Sequence, residues 1–432
     1  MKREILYLAV PVIAENLLQT LLGTADMYFA GQLSDNAIAG IGVTSLIMNM
    51  FISVFTAVSV GSTAVTARYY GEGAEKKVNS AVVHSLYAGL GLGILSGLFC
   101  AVFRRELLHV TGADAAVIEA AMPYFLTVTA PCVFLCLQLI LSACLRAMKD
   151  TKTPMYVTGA ANILNLALNF VFMKLGMGIF GLGLATTVSR GIAMVVMGKV
   201  LLGGRDIHLF PCKGLRREEF YTLLKIGVPA GMEKLIMRVG QLVYNGMILS
   251  IGTSAYVAHN VAGTIESYSY IPAMGFGLAV STMTGFFLGE KNIDDARTAV
   301  KETYLLSAGV MIGIGAVFYL FAPQFASLFS ETAAVQELVV QVLRIIAWFQ
   351  PFAALVQIMT GALQGAGDTR FPMYATFIGI WGLRIGLGYF LAVPFGMGLS
   401  GIWIAYAADL VVRGLLLLER FRGGKWQEIE IC

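Results

Sequence analysis

The sequence predicts an all-α polytopic membrane protein: twelve transmembrane helices in two parallel six-helix repeats, or lobes, around a central cavity. Three observations predict it. Of 432 residues, 57% are hydrophobic and only 13% charged, about half the charge of a soluble chain, and the mean hydropathy is +0.76. Twelve apolar runs are each long enough to cross a hydrocarbon layer, which takes about 20 residues. The chain also matches itself at a constant offset. Nucleic-acid binders, disordered chains and disulfide-stapled secreted domains have compositions that this one lacks.

In chain order the expected spans are 5–29, 40–64, 80–103, 121–145, 155–173, 180–202, 222–250, 257–287, 300–322, 338–363, 373–394 and 399–419. Span one has the basic start and apolar run of a signal peptide, but Glu15 and Asp26 interrupt it and no small-residue cleavage site follows. It is read as a helix that stays. With the N terminus inside, nineteen Lys and Arg residues beyond the spans or at their very ends fall on the cytoplasmic side, and only Arg104, Arg105 and Lys174 fall outside. Both termini are therefore expected in the cytoplasm, the chain being multi-pass in a plasma (inner) membrane, bacterial by expectation. The expected organisation is an N-terminal lobe at 1–204, a cytoplasmic inter-lobe linker at 205–220 and a C-terminal lobe at 221–432.

The offset is 218. Pro11 and Glu15 return as Pro229 and Glu233, Gly71-Glu72 as Gly289-Glu290, and Asp150-Thr151 with Pro154-Met155-Tyr156 as Asp368-Thr369 with Pro372-Met373-Tyr374. Gly176-Met177-Gly178 with Gly181 returns 220 residues later as Gly396-Met397-Gly398 with Gly401. Six spans per half is an even number, so both halves enter from the same side and form parallel repeats, as in transporters whose lobes rock around a cavity. Gly-Met-Gly-x-x-Gly formally fits a dinucleotide fingerprint, but no strand–helix unit surrounds it, so it is read as a turn with close helix packing.

An ionisable side chain near the bilayer centre costs about 3 kcal/mol on insertion scales, so each needs a cavity, a partner or a role. Glu15, Gln19 and Asp26, spaced by four and then seven, share one face of span one; Asn162, Asn165 and Asn169, spaced by three and four, share one face of span five. Both stripes are expected to point inward. A carboxylate among amide oxygens can take a proton or bind Na⁺ through hard oxygen ligands, whereas interhelical hydrogen bonding alone would only tie spans together. The repeat discriminates. Asp26 corresponds to Tyr244, Asn165 to Leu383 and Asn169 to Leu387, so the acid–amide set exists in the first half only. The second half instead carries Lys234, Arg238, Gln241 and Asn245 as a stripe flanked by Glu233, with Glu266, Arg344, Arg384, Asp409 and Arg413 as further charges. Glu233 and Glu266 are expected to neutralise Lys234, Arg238 or Arg384 within the lobe, and Arg344, Asp409 and Arg413 to lie near membrane interfaces.

The six cysteines and the four histidines, His84, His109, His208 and His259, lack metal-site spacing and are read as packing or surface residues, the thiols reduced. No cofactor is expected, and no enzyme activity. A prenyl or glycosyl transferase would need paired acidic metal motifs, and Asp294-Asp295 stands alone. No phosphate loop for ATP occurs.

In combination these residues resemble the multidrug and toxic compound extrusion (MATE) family. The carriers are Pro11 to Asp26 continuing into Ala30-Gly31, the Gly71-Glu72 loop, Leu363-Gln364-Gly365-Ala366-Gly367-Asp368-Thr369, and Asn165 to Asn169 before the glycine turn. The resemblance implies two six-helix lobes around a V-shaped cavity and efflux of amphipathic, often cationic small molecules by alternating access, in exchange for H⁺ or Na⁺. It also implies a first-lobe cation site at Asp26, Asn165 and Asn169, with Thr186 joining, and a bend at Pro11 that reshapes the lobe cavity. Many relatives carry a Glu eight residues after the span-seven Pro; here Met237 stands there and the Glu is earlier, at Glu233. Coupling is therefore placed in the first lobe. Gln19, Asn162, Glu233, Lys234, Arg238, Glu266 and Arg384 are expected to line the cavity or form lobe polar networks. Partners are small molecules and membrane lipid, with no nucleic acid, and a monomer is expected. The alternative is a lipid-linked-precursor flippase of similar architecture, for which Lys234, Arg238 and Arg384 would suit a pyrophosphate headgroup.

Overall fold

The computed structural model describes residues 1–203 and 216–429. Cys212, Cys432, His208 and most of the expected 205–220 linker lie outside them. The helices of the first repeat are α1 (Lys2–Gly31), α2 (Asp35–Gly71), α3 (Glu75–Val102), α4 (Arg104–Val110), α5 (Ala115–Thr129), α6 (Val133–Ala147), α7 (Lys152–Lys174) and α8 (Gly178–Gly203). Those of the second are α9 (Arg217–Ile251), α10 (Thr253–Gly289), α11 (Ile293–Phe329), α12 (Ala333–Ala347), α13 (Gln350–Ala366), α14 (Arg370–Phe377), α15 (Gly388–Ala392) and α16 (Gly398–Arg422). A π-helical stretch, Ile378–Leu387, joins α14 to α15 into one continuous span. No strand occurs among the described residues.

Nine of these segments are long and apolar enough to span a membrane, and two bent pairs, α5 with α6 at 45° and α12 with α13 at 56°, raise the number to eleven. The twelfth is α9. Its 35 residues extend about 52 Å at 1.5 Å per residue, but Lys234, Arg238, Gln241 and Asn245 reduce its apolarity. The protein is an all-α, multi-pass membrane protein with the twelve expected spans. Two helices, α2 and α11, run more than a turn past both predicted ends, because water-facing residues continue the backbone ladder beyond the lipid-length core. Ser34 accepts from the Ala37 N–H at 3.1 Å to start α2, and Asn292 accepts from the Asp295 N–H at 3.1 Å to start α11.

The repeat extends to the backbone. Left-handed residues fall at equivalent places: Gly73 (φ 66°) and Lys291 (59°), Lys149 (63°) and Gly367 (91°), Gly176 (72°) and Gly396 (69°), Gly178 (56°) and Gly398 (53°). The glycine motif is thus a turn twice over, and Gly181 and Gly401 press against the same turn, where an added Cβ would lie 2.8 Å from Phe172 and 2.9 Å from Met397.

The chain divides into two compact units, one of Ala14–Gly231 and one of Met1–Ile13 with Met232–Ile431. The borders differ from the expected lobes at 1–204 and 221–432. Each first helix changes unit two residues after its proline, Pro11 in α1 and Pro229 in α9. The reason is close packing. Within the Ala14–Gly231 unit, Gly227 and Gly231 of α9 lie against Ala57 of α2; within the other, Ala9 and Ile13 of α1 lie against Gly275 of α10. These are the same repeat positions, 9 and 227, 13 and 231, 57 and 275, so each repeat contributes its opening half-helix to the other unit.

Because both glycine turns need φ > 0, Gly176→Ala and Gly396→Ala should each lower stability by about 1–2 kcal/mol. Detergent unfolding of the two variants should give similar losses.

Candidate functional site

Within the Ala14–Gly231 unit, three helices bring one carboxylate and its amide partners together. Asp26 comes from α1, Asn165 and Asn169 from one face of α7, and Thr186 from α8; Asn165 and Asn169 are fully buried, and Asp26 is 6% exposed. The Asn169 amide donates to Asp26 Oδ1 at 2.8 Å and to Asn165 Oδ1 at 2.9 Å. The Asn165 amide donates to Thr186 Oγ1 at 3.3 Å, and Thr186 Oγ1 lies 3.5 Å from Asp26 Oδ2. One acceptor, Asn169 Oδ1, is buried with no partner. The cluster opens on a cavity of about 500 Å³ that Gln19 and Asn162 also line. Chemically it is an oxygen-rich pocket with one orphaned acceptor, able to be completed by an O–H donor or by a hard cation such as Na⁺. No group of three or more His, Cys, Asp or Glu residues suited to a transition metal occurs among the described residues.

Arg190 was not among the residues expected here. It lines the same cavity, one turn after Thr186 on α8, and acts electrostatically on Asp26. No ion pair within 4.0 Å joins them, and Arg190 Nη1 is buried without a hydrogen bond. The signal was legible: a lone arginine in the middle of an apolar run, at i+4 from Thr186.

The third member of the α1 stripe does something else. Glu15, 4% exposed, pairs with Arg146 Nη1 at 3.1 Å and accepts from Ser142 at 3.2 Å. Its repeat counterpart Glu233 accepts from Gln364, the counterpart of Arg146, at 2.9 Å and from Thr376 at 3.5 Å. One architectural bond therefore occurs in both repeats, charged in one and neutral in the other. His84 is likewise architectural: it is buried, lies 3.2 Å from Glu219, and accepts at Nε2 from the Arg216 N–H at 2.8 Å.

The other unit has its own cavity, of about 380 Å³, lined by Glu233, Lys234, Arg238, Tyr244, His259, Glu266, Arg384, Trp403 and Tyr406 among others. Tyr244 holds the place of Asp26, and the 220-residue offset puts Tyr406 in the place of Thr186. The expected pairing of Arg384 with Glu233 or Glu266 does not form. Arg384 donates to Asp409 Oδ2 at 2.7 and 3.2 Å, and Arg413 shares that oxygen at 2.9 Å. The π-helical stretch carries Arg384, and Gly379 in it presents no side chain to Asp409 Oδ1, which lies where a Cβ would be. Asp409 and Arg413 are thus core residues of the protein, at 0% and 3% exposure. Glu266 accepts from Tyr406 at 2.5 Å, Lys234 lies 3.9 Å from Glu233, and Arg238 donates to Gln241 at 3.2 Å.

The MatE family profile matches residues 11–171 and 229–390, two stretches separated by the internal repeat offset. The chain belongs to the MatE family. A probable multidrug resistance protein NorM of Thermotoga maritima is 30% identical over 99% of this chain and 93% of its own length. The uncharacterized transporter YisQ of Bacillus subtilis is 28% identical over 96% of this chain and 93% of its own. Among solved structures, MATE in the bent conformation superposes with a TM-score of 0.93 at 23% identity, covering 99% of this chain and 96% of that one. A MOP superfamily transporter from Pyrococcus furiosus gives 0.92 at 22% identity, covering 99% of this chain and 97% of that one. At these identities the superpositions show a shared MatE fold.

Removing the Glu15 charge leaves Arg146 buried and uncompensated, which should cost about 3 kcal/mol. Glu233→Gln leaves two neutral partners and a partly exposed Lys234 that water can still solvate, and should cost less. Thermal unfolding of Glu15→Gln against Glu233→Gln in the same detergent checks the order.

Proposed function

We propose that the protein is a secondary-active exporter of amphipathic small molecules, driven by inward flow of H⁺ or Na⁺ exchanged at the Asp26 cluster. The observation that carries this reading is the buried carboxylate bonded to Asn169, beside an orphaned amide oxygen and open to a cavity. A structural tie would leave no acceptor unmet and would need no cavity. The names of several relatives, multidrug resistance proteins, support drug-like compounds as cargo. The chain sits by this reading in a bacterial plasma (inner) membrane as a monomer, with both termini cytoplasmic.

Cation occupancy at Asp26, Asn165, Asn169 and Thr186 changes the charge of the cluster, and Arg190 makes that change costly. A neutral pair of Asp26 and Arg190 becomes net positive when the carboxylate is protonated or takes Na⁺. That shift biases the first lobe between two arrangements, with α1 bending near Pro11, and lowers affinity for cargo in the outward-open state. Linkage is reciprocal: cargo must lower cation affinity by the same factor. One charge moving through 100 mV supplies about 2.3 kcal/mol, enough for roughly 50-fold accumulation without ATP.

Asp26→Asn keeps the shape and the hydrogen bond while removing the titratable charge. In everted vesicles with ΔpH and ΔNa⁺ imposed separately, it should abolish cation-driven efflux while cargo binding persists. Efflux at the wild-type rate would remove Asp26 from the coupling.

A further inference from the structure

We propose that the cavity of the unit beginning at Met232 binds an acidic group, a carboxylate, sulfonate or phosphate, borne on an aromatic or apolar body. This rests on the export reading and names the cargo's charge, which the family resemblance led us to expect as cationic. The cavity holds four basic side chains, Lys234, Arg238, Arg384 and Arg413, against two carboxylates in its lining, Glu233 and Glu266. Those carboxylates are already engaged, Glu233 by Gln364 and Thr376 and Glu266 by Tyr406. Behind the wall, a single carboxylate, Asp409, serves both Arg384 and Arg413. Arg238 is the basic group left over. Its hydrogen bond goes to the neutral Gln241, and no carboxylate oxygen of the described residues lies within 4.0 Å of it.

Two of the three unmet groups in the lining are donors as well, the third being His259 Nδ1. Trp403 Nε1 and Arg413 Nε are buried donors with no acceptor. An excess of donors and of positive charge recognises an anion, and a guanidinium can present two N–H groups to one carboxylate or phosphate. The walls are aromatic, with Tyr244, Tyr270, Trp403 and Tyr406 around the basic groups, and Arg384 already stacks 3.9 Å over the Tyr406 ring. At about 380 Å³ the space suits a ring compound at the small end of ligand pockets. The counterpart cavity in the other unit is balanced by contrast, with one basic side chain, Arg190, and one carboxylate, Asp26, in its lining. A water-soluble organic anion and the phosphate of a lipid-linked compound share the required chemistry.

The test uses the full chain in lipid nanodiscs with no ion gradient, and two probes with the same ring and opposite charge, naphthoate and naphthylmethylammonium. Naphthoate should bind about tenfold or more tightly than the ammonium compound. Arg238→Gln should weaken naphthoate roughly tenfold and leave the ammonium compound unchanged, while Arg238→Lys restores part of the loss. Competition by a polyprenyl phosphate placed in the disc assigns the acidic group to a lipid, and absence of competition assigns it to a soluble compound. Equal or tighter binding of the ammonium probe, an equal loss of both probes in Arg238→Gln, or no binding of naphthoate overturns the proposal. Since no gradient is applied, failure of Asp26-dependent efflux would overturn the export reading without altering this result.

Discussion

A polar side chain inside a bilayer must find its partner within the protein, and the rest of this structure depends on that constraint. Water is not there to satisfy Asp26, Glu15, Glu233 or Asp409, so each is held by a donor from another helical segment, Asn169, Arg146, Gln364 and Arg384, and Arg413 of its own helix adds a second donor to Asp409. These bonds choose which helix faces point inward. They also leave some groups unmet, among them Asn169 Oδ1 in one unit and Trp403 Nε1 and Arg413 Nε in the other.

Duplication supplies a control inside a single chain. Backbone features recur to within a few degrees of φ at the glycine turns, and the opening half-helices pack at equivalent positions. Where geometry recurs, the role is architectural. Where it does not, as with Asp26 against Tyr244 and Thr186 against Tyr406, the same place in the fold carries different chemistry. One lobe keeps a single acid among amides, the other a basic group ringed by aromatic side chains.

Much of the molecule was legible in the residues. Twelve apolar runs, the offset repeat and the stripes on spans one and five follow from helical periodicity and from the cost of polarity in lipid. Reading Gln19, Asn162, Asn165 and Asn169 as inward-facing needed no more than spacing. Arg190 carries the same kind of signal, a lone charge in an otherwise apolar run, but no stripe of polar neighbours around it to show which face it takes. The partner of Arg384 was a different matter. Glu233, Glu266 and Asp409 are equally plausible by type, and only the π-helical turn of Ile378–Leu387, which aims Arg384 at Asp409 past Gly379, selects one.

By itself, the sequence determined the fold class, the repeat and which side chains must be buried, since these depend on local hydrophobicity and on the period of a helix. Only the tertiary structure decided which buried groups meet, which remain unmet, and that each opening helix changes unit just past its proline. Those outcomes depend on contacts between residues more than a hundred positions apart, such as Glu15 with Arg146 or Glu233 with Gln364, and no local pattern encodes the rotation that brings two distant faces together.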